Sequence, residues 1–196
     1  LPDEIVNKFN KITGKFYFHL NLDIYKRLNF LVNKVSKPYQ VLLGDDEFHL
    51  KNGLVKAIKF LDQNSHYSAC IGQSLKYYIS KNYKKITYDR GYKHFGYQIN
   101  SDKIALRLKT AFTNYNSATS YSIHRKELWK KAWGDMQKTS CKDTAEVEQA
   151  CKVYISGKFK SIDEVYWLRS YENLSINDGN EYKDLSFNDW INKKQF

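Results

Sequence analysis

The chain has 196 residues, 42% of them hydrophobic and 27% charged, proportions that exclude a disordered or membrane-spanning polypeptide and fit an ordinary globular domain. That length buries one sizeable core and no linker-like stretch divides it, so residues 1–196 read as a single domain. A formal charge of +11 predicts attraction to polyanions, whether nucleic acid, phospholipid headgroups or phosphorylated small substrates. Cys70, Cys141 and Cys151 show no paired spacing, which argues against a disulfide framework and for a reducing compartment. Apolar runs are only a few residues long, so neither a transmembrane helix nor a secretory signal is expected. The chain opens on Leu1 and not on Met, and we expect preceding sequence to have been removed.

Pro2-Asp3-Glu4 is an acidic helix start, with Ile5, Val6 and Phe9 as the apolar face of a short helix ended by Gly14. Residues 16–20 read as a strand, and Asp23 caps a helix carrying Ile24, Leu28, Leu31 and Val35 on one face, stopped by Pro38. Then comes Tyr39-Gln40-Val41-Leu42-Leu43-Gly44-Asp45-Asp46-Glu47-Phe48. Its apolar run predicts a strand buried on both faces, as in a parallel sheet, releasing three acids at its end. Oxygen-only ligands suit Mg²⁺ or Mn²⁺, while a solvated turn that merely ends a strand is the plain alternative. A helix over 51–62 places Leu54, Ile58 and Leu61 inward, and 67–71 is the next buried strand. This alternation predicts a mostly parallel sheet.

Residues 74–98 break the rhythm with Tyr77, Tyr78, Tyr83, Tyr88, Tyr92 and Tyr97 among lysines, Arg90 and His94. Interleaved rings and cations could track a single-stranded nucleic acid. They could equally line a sugar site, or form an antiparallel excursion with solvated lysines. Helical spacing returns from Ser101, with Ile104, Leu108, Ala111, Phe112 and Tyr115 on one face. Residues 118–123 read as a strand, and Leu128, Trp129, Ala132, Trp133 and Met136 mark a helix. Another helix runs over 144–156, with Val147, Ala150, Cys151 and Tyr154 inward and Gly157 just past its end. A last strand over 162–168 is followed by an Asn-rich loop at 173–180 and a short helix at Phe187, Trp190 and Ile191.

Read as a series, Tyr25-Lys26-Arg27-Leu28-Asn29, the 38–48 stretch, Tyr121-Ser122-Ile123-His124-Arg125-Lys126-Glu127-Leu128-Trp129, Gly157-Lys158, Tyr166-Trp167-Leu168-Arg169-Ser170-Tyr171-Glu172-Asn173 and Leu185-Ser186-Phe187-Asn188-Asp189-Trp190 resemble a bacterial glycosyltransferase-domain family. That family is related to the inverting nucleotide-sugar transferases of glycosyltransferase-A fold. The resemblance covers essentially the whole chain. It implies an α/β fold, a mostly parallel Rossmann-like sheet flanked by helices. It also implies that the first strands, which bind the nucleotide base in the family, are missing, so that the chain is a fragment.

The site residues follow from the resemblance alone. Asp46 would hold Mn²⁺ or Mg²⁺ against the donor diphosphate, with Asp45 and Glu47 as neighbours, although Gly44 stands where the commoner Asp-x-Asp form has its first acid. Arg27, Asn29 and Asp45 would face the donor. His124, Arg125 and Arg169 would lie on the acceptor side. Counting back from Gly157 points to Glu146 as the base, with Glu148 next. The residues themselves leave other readings open: Asp143-Thr144-Ala145-Glu146 has capping-box spacing, His124 could be an ordinary buried histidine, and Arg27 an exposed helix residue.

The implied function is an inverting, metal-dependent transfer of sugar from a nucleotide-sugar donor to a cell-surface glycan or lipid-linked acceptor. It would take place in the cytoplasm, where the inner face of an anionic membrane would attract the basic chain, and nucleic acid is not an expected partner in this reading. A non-catalytic carbohydrate- or nucleotide-sugar-binding module, or a basic single-stranded nucleic-acid-binding protein, are the competing classes.

Overall fold

A computed structural model describes residues 24–34, 36–44, 47–80, 85–91, 95–113, 115–116, 119–134, 136 and 142–170. The expected helix at Pro2-Asp3-Glu4, the strand over 16–20, Asp23, Asp45, Asp46, the loop at 173–180 and the helix at Phe187 to Ile191 lie outside the described residues.

Five helices and seven strands are described. Helix α1 (Ile24–Val32) buries Leu28 and Val32, one turn apart. Strands β1 (Tyr39–Gln40) and β2 (Glu47–His49) are short. Helix α2 (Lys51–Gln63) buries Gly53, Ala57 and Leu61 at a four-residue spacing, with Leu54 and Ile58 half-buried beside them. The long β3 (Tyr67–Ile79) turns back into β4 (Ile86–Arg90), and β5 (Gln98–Ile99) precedes α3 (Ile104–Thr113). Next come β6 (Ile123–Arg125), α4 (Lys126–Trp133), α5 (Lys142–Ser156) and the long β7 (Lys158–Ser170).

The strands form one mixed sheet in the order β1-β6-β3-β7-β2, with β4 on β3 and β5 on β7. Only the central pair β3–β7 is parallel; β1–β6, β2–β7, β3–β4, β3–β6 and β5–β7 are antiparallel. The expected mostly parallel sheet is therefore corrected to a mixed one. The strand-helix alternation misleads because α2 joins β2 to β3, and those two strands run in opposite directions.

The 39–48 stretch is corrected too. It forms two short strands on opposite edges of the sheet, not one buried strand, and the chain between them passes to the other edge. Val41 and Leu42 pack against the core while Leu43 is exposed, a pattern that an apolar run cannot announce in advance. Trp167, Tyr154, Tyr166, Phe159, Leu61 and Ile71 fill the centre of the core. Among the described residues, no helix is long and apolar enough to cross a membrane.

Candidate active site

Glu47 opens β2, yet its carboxylate turns inward and is only 7% exposed. Trp167 Nε1 donates to Glu47 Oε2 at 3.1 Å, and the Gly44 backbone N–H donates to the same oxygen at 3.2 Å. Arg169 Nε stands 3.5 Å from Oε1. The ladder explains this meeting: Glu47 lies directly opposite Arg169, and Trp167, two residues earlier on β7, shares that face. Gly44 comes close because it has no side chain; a Cβ there would stand 3.0 Å from Glu47 Cδ and Oε2. Tyr121 stacks on Trp167 with ring centroids 4.2 Å apart. A hydrogen-bond set of this kind holds a buried carboxylate still.

Glu47 consequently does not fit the expected ligand role. Its oxygens already face two N–H donors and a guanidinium, which leaves poor access for a cation. Among the described residues, no group of three His, Cys, Asp or Glu side chains is placed to hold a metal ion. Asp45 and Asp46, between Gly44 and Glu47, lie outside the described residues.

The other expected residues are scattered. Arg27 is exposed on α1, and Asn29, half-buried there, donates from Nδ2 to the Met136 carbonyl at 3.2 Å. Glu146 and Glu148 both lie on α5. Glu146 accepts a hydrogen bond from the Tyr115 hydroxyl at 2.6 Å, and Glu148 pairs with Lys152 one turn on at 2.6 Å.

His124 has no exposed surface and sits in the core beside Ser122 and Gln149. Burial pushes its pKa down to about 4. Arg125 donates to Tyr39 Oη at 3.1 Å and to the carbonyls of Leu61 and Asn64 at the end of α2. The register places both far from Glu47: His124 faces Ala69 on β3, whereas Arg169 faces Lys76, roughly 20 Å further along the strand. A cavity of about 180 Å³ lined by Tyr67, Arg125 and Lys131 lies at that distant end.

Among the described residues of the expected set, the fold brings together Glu47 and Arg169. Sequence reasoning missed Trp167 as their partner and Tyr115 as that of Glu146. The spacing of two between Trp167, in the predicted strand over 162–168, and Arg169, one residue past it, was a usable signal had the strand been extended; nothing local joins Tyr115 to Glu146.

This mixed α/β architecture is shared with a solved protein structure. The solved structure of S. aureus TarS 1–349 matches it with a TM-score of 0.59 at 12% identity, over 86% of this chain and 47% of that one. The chain thus spans about half the length of the structure it matches. No family model matches the sequence, and no curated protein matches it.

Proposed function

We propose that this chain is a glycosyltransferase domain that moves a sugar from a nucleotide-sugar donor to a glycan or glycoconjugate acceptor, with inversion at the anomeric carbon. The observation that carries this reading is the fold shared with TarS over most of the chain. The acceptor hydroxyl must lose a proton as it attacks, and a positioned carboxylate takes it. Glu146 is our candidate: it is half-buried, and the Tyr115 hydroxyl fixes one of its oxygens. Glu148 is less suited because Lys152 engages it.

Asp46, with Asp45, would hold Mn²⁺ or Mg²⁺, and that cation would supply charge stabilisation to the departing diphosphate. Glu47, engaged by Trp167, Gly44 and Arg169, is assigned a framework role in this reading. Arg27 and Asn29 are proposed to meet the donor side and Arg169 the acceptor side, and an anionic membrane surface would attract the basic chain from the cytoplasmic side.

The test is a screen of nucleotide sugars for Mn²⁺-dependent shifts in melting temperature. One donor is expected to raise the melting temperature by several degrees, and Asp46→Asn is expected to abolish that rise. Glu146→Gln should keep the shift and lose transfer. Stabilisation by nucleoside diphosphate and Mn²⁺ that survives in Asp46→Asn would make the chain a binding module instead.

A further inference from the structure

The cavity of about 180 Å³ at the start of β3 is used by none of the roles proposed above. Four elements meet around it. The turn after α2 gives Ser65, β3 gives Ser68, α5 ends there with Ser156, and α4 gives Glu127 and Lys131 behind its N-cap Arg125. Ladder register makes the meeting: Ala69 faces His124, which sets Ser68 beside Arg125. Glu146 lies near the other end of α5, roughly 15 Å from Ser156 at helical rise, so the cavity is separate from the proposed base as well as from Glu47.

Each wall offers a definite kind of partner. Arg125 is charged at every working pH, and its guanidinium is fixed by donating to Tyr39 Oη at 3.1 Å and to the carbonyls of Leu61 and Asn64. Those bonds leave at least two of its five N–H groups. All three acceptors are neutral, and Asp62 accepts from the Tyr39 hydroxyl without pairing with the guanidinium. Lys131 brings a second cation. Among the described residues, neither cation has a carboxylate within ion-pair distance, and Glu127, one turn before Lys131, does not pair with it. Ser68 and Ser156 spend their hydroxyl protons on the carbonyls of Lys158 and Lys152, at 2.9 and 2.7 Å, so both offer the cavity only lone pairs.

Two cations against one acid favour an anion over a zwitterion such as a neutral amino acid. An anion without hydroxyls would sit against Glu127 with nothing to donate to it. A phosphate ester carrying free hydroxyls satisfies both demands, because guanidinium and ammonium groups bind its phosphate while its hydroxyls donate to the acceptors. We infer that this cavity binds a small hydroxyl-bearing phosphate ester, its phosphate on Arg125 and Lys131 and its hydroxyls toward Glu127, Ser68 and Ser156. The inference does not rest on the transferase reading, since no residue given a role in that reading lines the cavity.

NMR shift titration of the full chain with glycerol 3-phosphate, glucose 1-phosphate, inorganic phosphate and glucose tests it. Both esters are expected to bind with dissociation constants below about 5 mM and to move the Ser65, Glu127 and Ser156 amide signals; inorganic phosphate should bind more weakly and glucose not at all. Lys131→Gln is expected to weaken the esters about threefold and Arg125→Lys about tenfold, while Lys59→Gln, exposed on α2, leaves them unchanged. Glu127→Gln should raise the affinity for inorganic phosphate by removing a like charge. Matched melting temperatures confirm that the variants fold. Three results would overturn the inference: no shift of those amides at about 20 mM ester, ester binding that Lys131→Gln and Arg125→Lys both keep, or inorganic phosphate bound as tightly as the esters. Asp46→Asn, which is expected to remove the Mn²⁺-dependent donor shift, should leave ester binding intact, so the two readings fail separately.

Discussion

A histidine with no exposed surface has to remain neutral, and His124 shows what that costs in acid. Its ring lies between Ser122, Gln149 and the edge of Trp129, with no carboxylate among these neighbours. Burial lowers its pKa to about 4, below the ordinary 6.5. The unfolded chain therefore binds the proton more readily, and the stability due to neutral His124 is complete above about pH 6.5 and falls as pH drops toward 4. About 3 kcal/mol is at stake across that window. Urea denaturation at pH 7 and pH 4.5 should show this loss in the parent chain and a smaller one in His124→Gln; equal losses would assign the acid sensitivity elsewhere. Arg107 meets the opposite demand. Its buried guanidinium stays charged by donating to the carbonyls of Tyr154, Ile155, Ser101 and Asp102, at 2.7 to 3.0 Å. Two of those carbonyls end α5, where a cation complements the helix dipole. The sequence leaves His124 between an acceptor-side role and an ordinary buried histidine, since only the packing of distant segments removes the water from both residues.

Helix α2 lies against β7 at backbone distance. A Cβ on Gly53 would stand 2.6 Å from Tyr166 Cα and from the Val165 carbonyl oxygen, and neither of these atoms can swing away. Gly53→Ala is expected to push the helix off the sheet and cost about 2 kcal/mol or more, read as a lower urea midpoint with an unchanged slope. An alanine tolerated without loss would mean that α2 sits further from β7 than described. The helix itself was legible: periodic Leu54, Ile58 and Leu61 predict 51–62, and the observed span is Lys51–Gln63. Leu61 is buried as expected and Leu54 and Ile58 pack against the core, whereas Gly53 and Ala57 join the buried stripe unannounced, because close backbone approach favours small residues over large apolar ones. Gly157 closes α5 in a similar way, with a Cβ position 2.9 Å from the His66 carbonyl oxygen.

At the scale of the whole molecule, the two long central strands β3 and β7 hold the remaining short strands on their flanks. A net charge of +11 acts on all of it as self-repulsion. Raising salt from about 0.05 to about 0.5 M should screen this and lift the melting temperature by about 2–4 °C. A fall over the same range would show that attractive pairs such as Lys158–Asp102, 2.7 Å apart, outweigh the repulsion.

Local spacing determined the existence of α2, α3, α4 and α5, the mixed α/β class and the position of the long final strand, because helix and strand periods are properties of contiguous residues. Resemblance along the chain pointed to the glycosyltransferase-like fold. Strand direction and partners were decided only by the tertiary structure, since pairing joins segments far apart in sequence and one apolar run can serve two opposite sheet edges. The same reason governs the site. That Glu47 belongs to Trp167 and Arg169, and Glu146 to Tyr115, follows from long-range register and packing; local sequence carries only the Gly44–Glu47 contact and the shared face of Trp167 and Arg169.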